Sequence, residues 1–379
     1  MERIRITMLI SGLGLTGTPR VMMDIIEHIN HNQYDISVAY KPEYPGSDLD
    51  ILRDLKDMGI TLIPLRGKRL FSFSGITDLF GHLSSDRVQI IHCWDALGIV
   101  ARILKFATGC RVIESYCNPV ISKGSWKYYF VNKITSLAMD GIIFCTRGVE
   151  ASYISSQVLN LRRKKTAVIA DCINCGEINE VRFNKDQIKD KWGLGKSTVI
   201  LTNIGLFNEQ KGQEYLIRAM ETIVPKIKNV KLILVGWGPR EEKLRREARK
   251  SGVEDSILFA GKCQRDVVFE ILSITDVFVL SSLWEGFGLV VGEAMAMGKP
   301  VVSTRTDGSE VLITENETGI IVPPKDPRRM ADAVVNLIND PPRMKKMGEL
   351  GRERVSRYFT PEKFGVEHEE FYRKILQSS

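Results

Sequence analysis

The stretch Glu285-Gly-Phe-Gly-Leu-Val-Val-Gly-Glu293-Ala-Met-Ala-Met-Gly298-Lys-Pro300 constrains the chemistry of this chain more tightly than any other. The apolar run Ile274 to Leu280 before it reads as a buried strand, and Gly286 and Gly288 let backbone approach a ligand where side chains would block it. A helix is predicted from near Leu289. It ends where Gly298 can take a left-handed cap and Pro300 cannot continue the ladder. Unpaired amides at a helix start attract anions, which places a phosphate beside Gly286, Phe287, Gly288 and Leu289. Glu285 at the mouth and Glu293 one turn inside cannot both be there to bind it. Carboxylates accept hydrogen bonds from hydroxyls, so the ligand that fits is a phosphate with polyols at both ends, the chemistry of a nucleotide sugar. The plainer reading is an acidic loop ahead of an ordinary helix.

Working outward, strand-like and helical runs alternate: Ile4 to Ile10, Val21 to Ile29, Ile36 to Tyr40, and so on to Val168-Ile-Ala170. A second cycle opens with Val199 to Ile204, Tyr215 to Ile227, Leu232 to Val235 and Glu241 to Lys250. Such alternation predicts parallel sheets covered by helices, here two Rossmann-like domains of an α/β protein. The polar stretch from Asp171 to Ser197 is the expected linker, giving domains at 1–180 and 181–360 with a final helix in 361–379.

A length of 379 residues, 44% of them hydrophobic, is enough for two cores. No apolar stretch is long enough to span a membrane, and Met1-Glu-Arg-Ile-Arg-Ile lacks the apolar segment of a signal peptide, so a cytoplasmic protein is expected. Seven scattered cysteines suit a reducing compartment, which leaves the Asn316-Glu-Thr318 sequon unused. Cys172-Ile-Asn-Cys175 has redox or metal spacing, yet no second pair or nearby histidine completes a zinc site.

The Glu285 to Glu293 run resembles the E-x7-E motif of the retaining glycosyltransferases of family 4, which have the two-domain GT-B fold. Gly205 to Gly212 before a helix, Gly236-Trp-Gly-Pro239 after a strand, Phe259-Ala-Gly261 and Asp276 to Leu280 agree in order and spacing. The first half is similar more loosely, through its opening strand and glycine loop, Ile90-Ile-His92, and Asp140-Gly-Ile-Ile before Cys145-Thr. The resemblance implies two parallel sheets facing an interdomain cleft, a first domain serving the acceptor, and a last helix that crosses back to it. It also implies hexosyl transfer with retention, without a metal or other cofactor, from a nucleotide-sugar donor of the UDP or GDP type. Catalytic roles fall on Glu285 and Lys211, and donor contacts on Gly17, Gly286, Phe287, Gly288, Leu289 and Glu293. In the family an arginine five residues before the lysine also faces the diphosphate, and here that position holds Leu206. The charge could pass to Arg240 or Arg265. Tyr116-Cys117-Asn118 lacks the histidine that many relatives bring to the donor sugar, and Asp171-Cys172 replaces a common Asn-Gly. His92 is family-like, though a histidine so placed is more often a buried structural one.

Smaller motifs compete. Gly12-Leu-Gly14-Leu-Thr-Gly17 follows a strand and precedes a helix, as a dinucleotide fingerprint would, but the second strand runs into Lys41 where a ribose-binding acid belongs. Gly195-Lys-Ser-Thr198 mimics a P-loop end yet precedes a strand, and Asp48-Leu-Asp50 reads as the acidic first turn of a helix. The formal charge of +7 is modest, but basic residues cluster beside aromatics at Arg66 to Phe73 and Lys123 to Lys133, with a further basic run at Arg162 to Lys165. These suit an anionic membrane surface, at the inner face of the cytoplasmic membrane, and a lipid-linked or membrane-bound acceptor; a glycan acceptor in cell-envelope polysaccharide synthesis is what the resemblance implies. No nucleic-acid fold signature accompanies the charge. Two other classes stay open: a nucleotide-sugar epimerase or hydrolase of the same fold, and a catalytically silent transferase-like partner protein.

Overall fold

The computed structural model describes residues 2–14, 17–42, 49–67, 72–94, 98–120, 126–161, 164–179 and 183–377, with residues 49–50, 126–128 and 179 described by backbone alone. The chain divides into two compact units, Met1–Cys172 with Pro361–Ser379, and Ile173–Thr360.

The first unit is built on seven parallel strands: β1 (Ile4–Ile10), β2 (Tyr34–Tyr40), β3 (Thr61–Pro64), β4 (Ile90–Cys93), β5 (Arg111–Tyr116), β6 (Gly141–Phe144) and β7 (Lys165–Val168). Their order is β3-β2-β1-β4-β5-β6-β7, with Ile4 to Ile10 paired in register with Tyr34 to Tyr40. The central strands are almost wholly apolar because helices cover both faces, so no polar alternation is needed. The helix Gly17–His28 buries Val21, Met22, Ile25 and Ile26. The last helix, Pro361–Leu376, packs on it closely: a Cβ at Gly365 would stand 2.4 Å from the His28 carbonyl oxygen. The same helix sends Tyr372 into the core, where its hydroxyl bonds His92 Nδ1 at 2.8 Å. Arg102, 2% exposed, is matched there by a two-point pair with Glu114 and by Asn132, Thr135 and Tyr116.

The second unit has six parallel strands: β8 (Val199–Ile204), β9 (Val230–Val235), β10 (Ile257–Gly261), β11 (Val277–Leu280), β12 (Val301–Thr304) and β13 (Ile320–Val322). They are ordered β10-β9-β8-β11-β12-β13. The chain therefore winds outward from β8 on one side, then returns to lay β11 on the other. Loops leaving the carboxyl ends of β8 and β11 diverge, which opens a crevice between them.

Sequence and structure differ at three places. The expected strand over Ile274 to Leu280 begins only at Val277, because the helix Arg265–Ile274 uses its last apolar residues in the core and Asp276 turns to accept the Ile200 amide. The unit boundary falls at Cys172/Ile173 instead of 180/181. Ile173 already belongs to the second unit, donating its amide to Phe359 and seating against Gly292. Within the expected linker two short helices form, Cys175–Asn179 and Lys185–Lys191.

Asp171 closes the first unit as a buried carboxyl beside Asp24, Cys145 and Cys172. Burial, with Asp24 adding to it, pushes its pKa up to about 7 from 3.8. The folded chain thus binds this proton more tightly than the unfolded chain, so the stabilisation is complete below about pH 4 and lost as pH rises through 7. Measured by urea unfolding, the stability of the wild type minus that of Asp171→Asn should fall by about 1 kcal/mol per pH unit between pH 4 and 7, then level off. A flat difference would place the carboxyl in water.

Candidate functional site

In the second unit, the crevice outside β8 and β11 gathers the residues singled out in the sequence. The loop after β8 carries Lys211, and the loop after β11 carries Glu285. Lys211 Nζ meets Glu285 Oε1 at 2.5 Å, and Ser282 Oγ donates to the same oxygen at 2.7 Å. The Glu285 side chain is 8% exposed and that of Lys211 17%, so each depends on the other for charge compensation. Backbone ties hold the two loops at this separation. Leu283 N–H donates to the Gln210 carbonyl at 2.7 Å, Gln210 Nε2 to the Trp284 carbonyl at 3.2 Å, and Ser281 Oγ to the Lys211 carbonyl at 2.9 Å. Gly212, at φ +58°, allows this approach: a Cβ there would lie 2.3 Å from the Ser281 carbonyl oxygen.

Gly286 and Phe287 lead to Gly288 (φ +87°), the residue before the helix Leu289–Ala296. The sequence places this helix start correctly, and Gly298, at φ +67°, follows its end as expected. The opening amides of a helix have no carbonyl four residues back, and Val291 N–H turns instead to the Gly288 carbonyl at 2.9 Å. Glu293 lies one turn in, 8% exposed, with Arg265 Nη1 donating to its Oε1 at 2.7 Å. Arg265 also makes a two-point bond to Glu177, at 2.5 and 3.0 Å. Burial opposes the guanidinium charge, but Glu293 and Glu177 outweigh it and hold the group above its ordinary range.

Of the two cations offered for the position left by Leu206, neither is uncompensated. Arg265 is bound by two carboxylates, and Arg240 pairs with Glu214 at 3.1 Å, where Lys243 also binds at 2.7 Å. Although burial works against it, those cations hold the Glu214 carboxyl below its usual range. Arg240 does stay beside the β8 loop, its amide donating to the Phe207 carbonyl at 3.0 Å. His92 belongs elsewhere. It is fully buried in the first unit, stacked on Trp94 at 4.0 Å, with Nδ1 on Tyr372 and Nε2 on Ser115, both at 2.8 Å. Burial, and then His368, holds its pKa well below 6.5, so it is a neutral core residue and has no free nitrogen for a ligand. Gly17 stands exposed at the start of its helix in the first unit, while Leu15 and Thr16 of the same loop lie outside the described residues.

Several contributors stand apart from the motifs. Ser282 is one polar residue in a loop. Glu177 is 88 positions from Arg265. Gly308 opens the helix Asp307–Leu312, where Thr306 and Ser309 cap reciprocally, and a Cβ on it would stand 1.9 Å from the Phe287 carbonyl oxygen. The turn Thr306-Asp-Gly-Ser309, a cap beside a glycine, was the legible clue. Among the described residues no group of three or more His, Cys, Asp or Glu side chains is placed to hold a metal ion.

Residues 184–354 match the family described as glycosyl transferases group 1. The second unit is a group 1 glycosyl transferase domain. N-acetyl-alpha-D-glucosaminyl L-malate synthase of Bacillus anthracis is 35% identical to this chain over 199 residues, 52% of this chain and 51% of that protein. A GDP-mannose-dependent alpha-(1-6)-phosphatidylinositol monomannoside mannosyltransferase of Mycobacterium tuberculosis is 31% identical over 187 residues, 46% and 48% of the two chains. The chain thus spans about half the length of these two relatives. Anabaena Alr3699/HepE, solved in complex with UDP-glucose, superposes with a TM-score of 0.84 at 16% identity, covering 98% of this chain and 100% of that one. The shared fold is GT-B, two Rossmann-like units in one chain. In the group 1 domain, Glu285, Lys211 and Glu293 all lie at the carboxyl edge of the sheet.

Gly308→Ala tests how that edge is assembled. With backbone in the way, the variant should lose about 1–3 kcal/mol of stability in denaturant unfolding. An unchanged midpoint would show that the Phe287 turn has room to move.

Proposed function

We propose that this chain is a retaining glycosyltransferase that moves a hexose from a UDP- or GDP-sugar to an acceptor hydroxyl. The observation that carries this reading is the Lys211–Glu285 pair, fixed between the loops that follow the adjacent strands β8 and β11, ahead of the helix Leu289–Ala296. The ribose hydroxyls would bind Glu293, the diphosphate would take the Gly286 to Leu289 amides and Lys211, and Glu285 would orient the sugar hydroxyls. The bond from the anomeric carbon to the diphosphate oxygen breaks, and the acceptor oxygen bonds that carbon from the same face. The acceptor proton passes to the departing diphosphate. Lys211 offsets the charge growing there, the kind of stabilisation that contributes most in such reactions. The GDP-mannose dependence of one relative and the UDP-glucose complex of a structural neighbour support a donor of this class.

A membrane-bound or lipid-linked acceptor, and a peripheral place at the inner face of the cytoplasmic membrane, have separate support in the first unit. The helices Gly98–Thr108 and Trp126–Thr135 pack together and leave Ile103, Phe106, Phe130 and Ile134 exposed, Phe106 by 83% and Phe130 by 59%, with Lys133 exposed among them. Apolar rings beside basic groups suit an anionic bilayer surface. No helix among the described residues is long and apolar enough to cross a membrane. Of the basic clusters, Lys68 to Phe71, Lys123, and Arg162 and Arg163 lie outside the described residues, whereas Lys164 and Lys165 are held by backbone carbonyls.

A thermal-shift screen of UDP-, GDP-, ADP- and dTDP-sugars, followed by turnover of the best donor, tests the central reading. Lys211→Met should lower kcat about a hundredfold or more. Turnover without any acceptor would move the reading to a hydrolase or epimerase, and donor binding without turnover to a silent partner protein. For the membrane claim, the double variant Phe106→Asp, Phe130→Asp should stop cosedimenting with phosphatidylglycerol vesicles while keeping its melting temperature. Equal recovery of wild type and variant with the vesicles would sink that claim.

A further inference from the structure

Arg265 heads the helix Arg265–Ile274 directly after β10 and its loop, and three of its five N–H groups are spent on carboxylates. Nε and Nη2 bind both oxygens of Glu177, and the guanidinium lies over the Phe269 ring at 4.7 Å. A fork bound at two points and stacked on a ring has its plane fixed, so Nη1 is aimed at Glu293 without freedom to search. Glu177 is itself seated. Its segment begins at Ile173, which is packed so closely on Gly292 that a Cβ there would stand 2.3 Å from Ile173 Cδ1. The residues before and at the first acceptor carboxylate of the helix, Gly292 and Glu293, are thus braced by one short segment, directly through Ile173 and through Arg265 from Glu177.

We infer that Arg265 is a positioning residue for recognition of the nucleotide ribose. It turns the Glu293 carboxylate by holding one oxygen, leaving the other oxygen to accept from ribose hydroxyls. The inference rests on the nucleotide-sugar reading of the site and gives a role to two residues, Arg265 and Glu177, that the donor does not need to touch. It also separates Arg265 from the diphosphate: its charge serves the carboxylate beside it. Lysine cannot replace it, since an ammonium offers a point charge where two carboxylates and a ring require a planar fork.

Ribose recognition can be read without any acceptor by titrating UDP and GDP against their 2′-deoxy and 3′-deoxy counterparts by calorimetry. The wild type should favour the ribonucleotide over at least one deoxy form by about tenfold or more, the effect of a hydrogen bond to a charged group. Glu293→Gln should reduce that preference. Arg265→Met should bring it close to parity while leaving the affinity for the deoxy nucleotide within about threefold, Glu177→Gln should act in the same direction more weakly, and Arg265→Lys should not restore it. Loss of affinity for ribo and deoxy forms alike in Arg265→Met would mark a merely structural role and overturn the inference, as would an undiminished preference in that variant when Glu293→Gln has lost it. If Glu293→Gln keeps the full preference, or the wild type binds neither UDP nor GDP, the ribose reading of Glu293 is what fails, and the role of Arg265 falls with it.

Discussion

A half-buried lysine and a buried glutamate, delivered by the loops that follow neighbouring strands, meet across the crevice and compensate each other's charge there. Desolvating a single ion costs several kcal/mol even after relaxation, so the Lys211–Glu285 contact is a condition on the second unit as well as a feature of it. It requires β8 and β11 to be adjacent, which the strand order β10-β9-β8-β11-β12-β13 provides. It requires the two loops to close on each other, which Gly212 permits and the Gln210, Leu283 and Trp284 bonds enforce. Sheet topology, loop chemistry and charge placement are one problem here with one solution.

The parts of this arrangement that depend on local rules were legible in the sequence. The helix start at Leu289 and its end before Gly298 follow from glycine and proline stereochemistry, and the alternation of strands and helices from burial on both sheet faces. The pairings were not legible, because they join residues that only the fold brings together. Nothing near Arg265 in the sequence points to Glu177, and nothing near Glu285 distinguishes Ser282 from the serine before it. His92 is the opposite case. Its position at a strand end favours a core role over a ligand contact, and the structure supplies the partner, Tyr372, 280 residues away.

Charge in the second unit is arranged in pairs and forks. Near the candidate donor groove stand Lys211 and Arg265 as cations against Glu285, Glu293 and Glu177 as carboxylates, and Arg240 is already matched by Glu214. Leu206 adds no charge here, whereas the oriented amides at the helix start favour an anion and need no counter-charge of their own. The side-chain ions also fix direction: Glu285 and Glu293 each have one oxygen held by a cation.

The helix Pro361–Leu376 gives the two units different histories. The second unit is continuous in the chain, from Ile173 to Thr360, whereas the first is interrupted and needs this helix for its core, with Tyr372 on His92 and Gly365 against His28. On the ribosome, domains ordinarily fold in the order in which they emerge. Here the unit whose synthesis begins first cannot be finished until the other has been made in full. Until then its sheet waits with an apolar seam open along the helix Gly17–His28, which the helix Pro361–Leu376 closes.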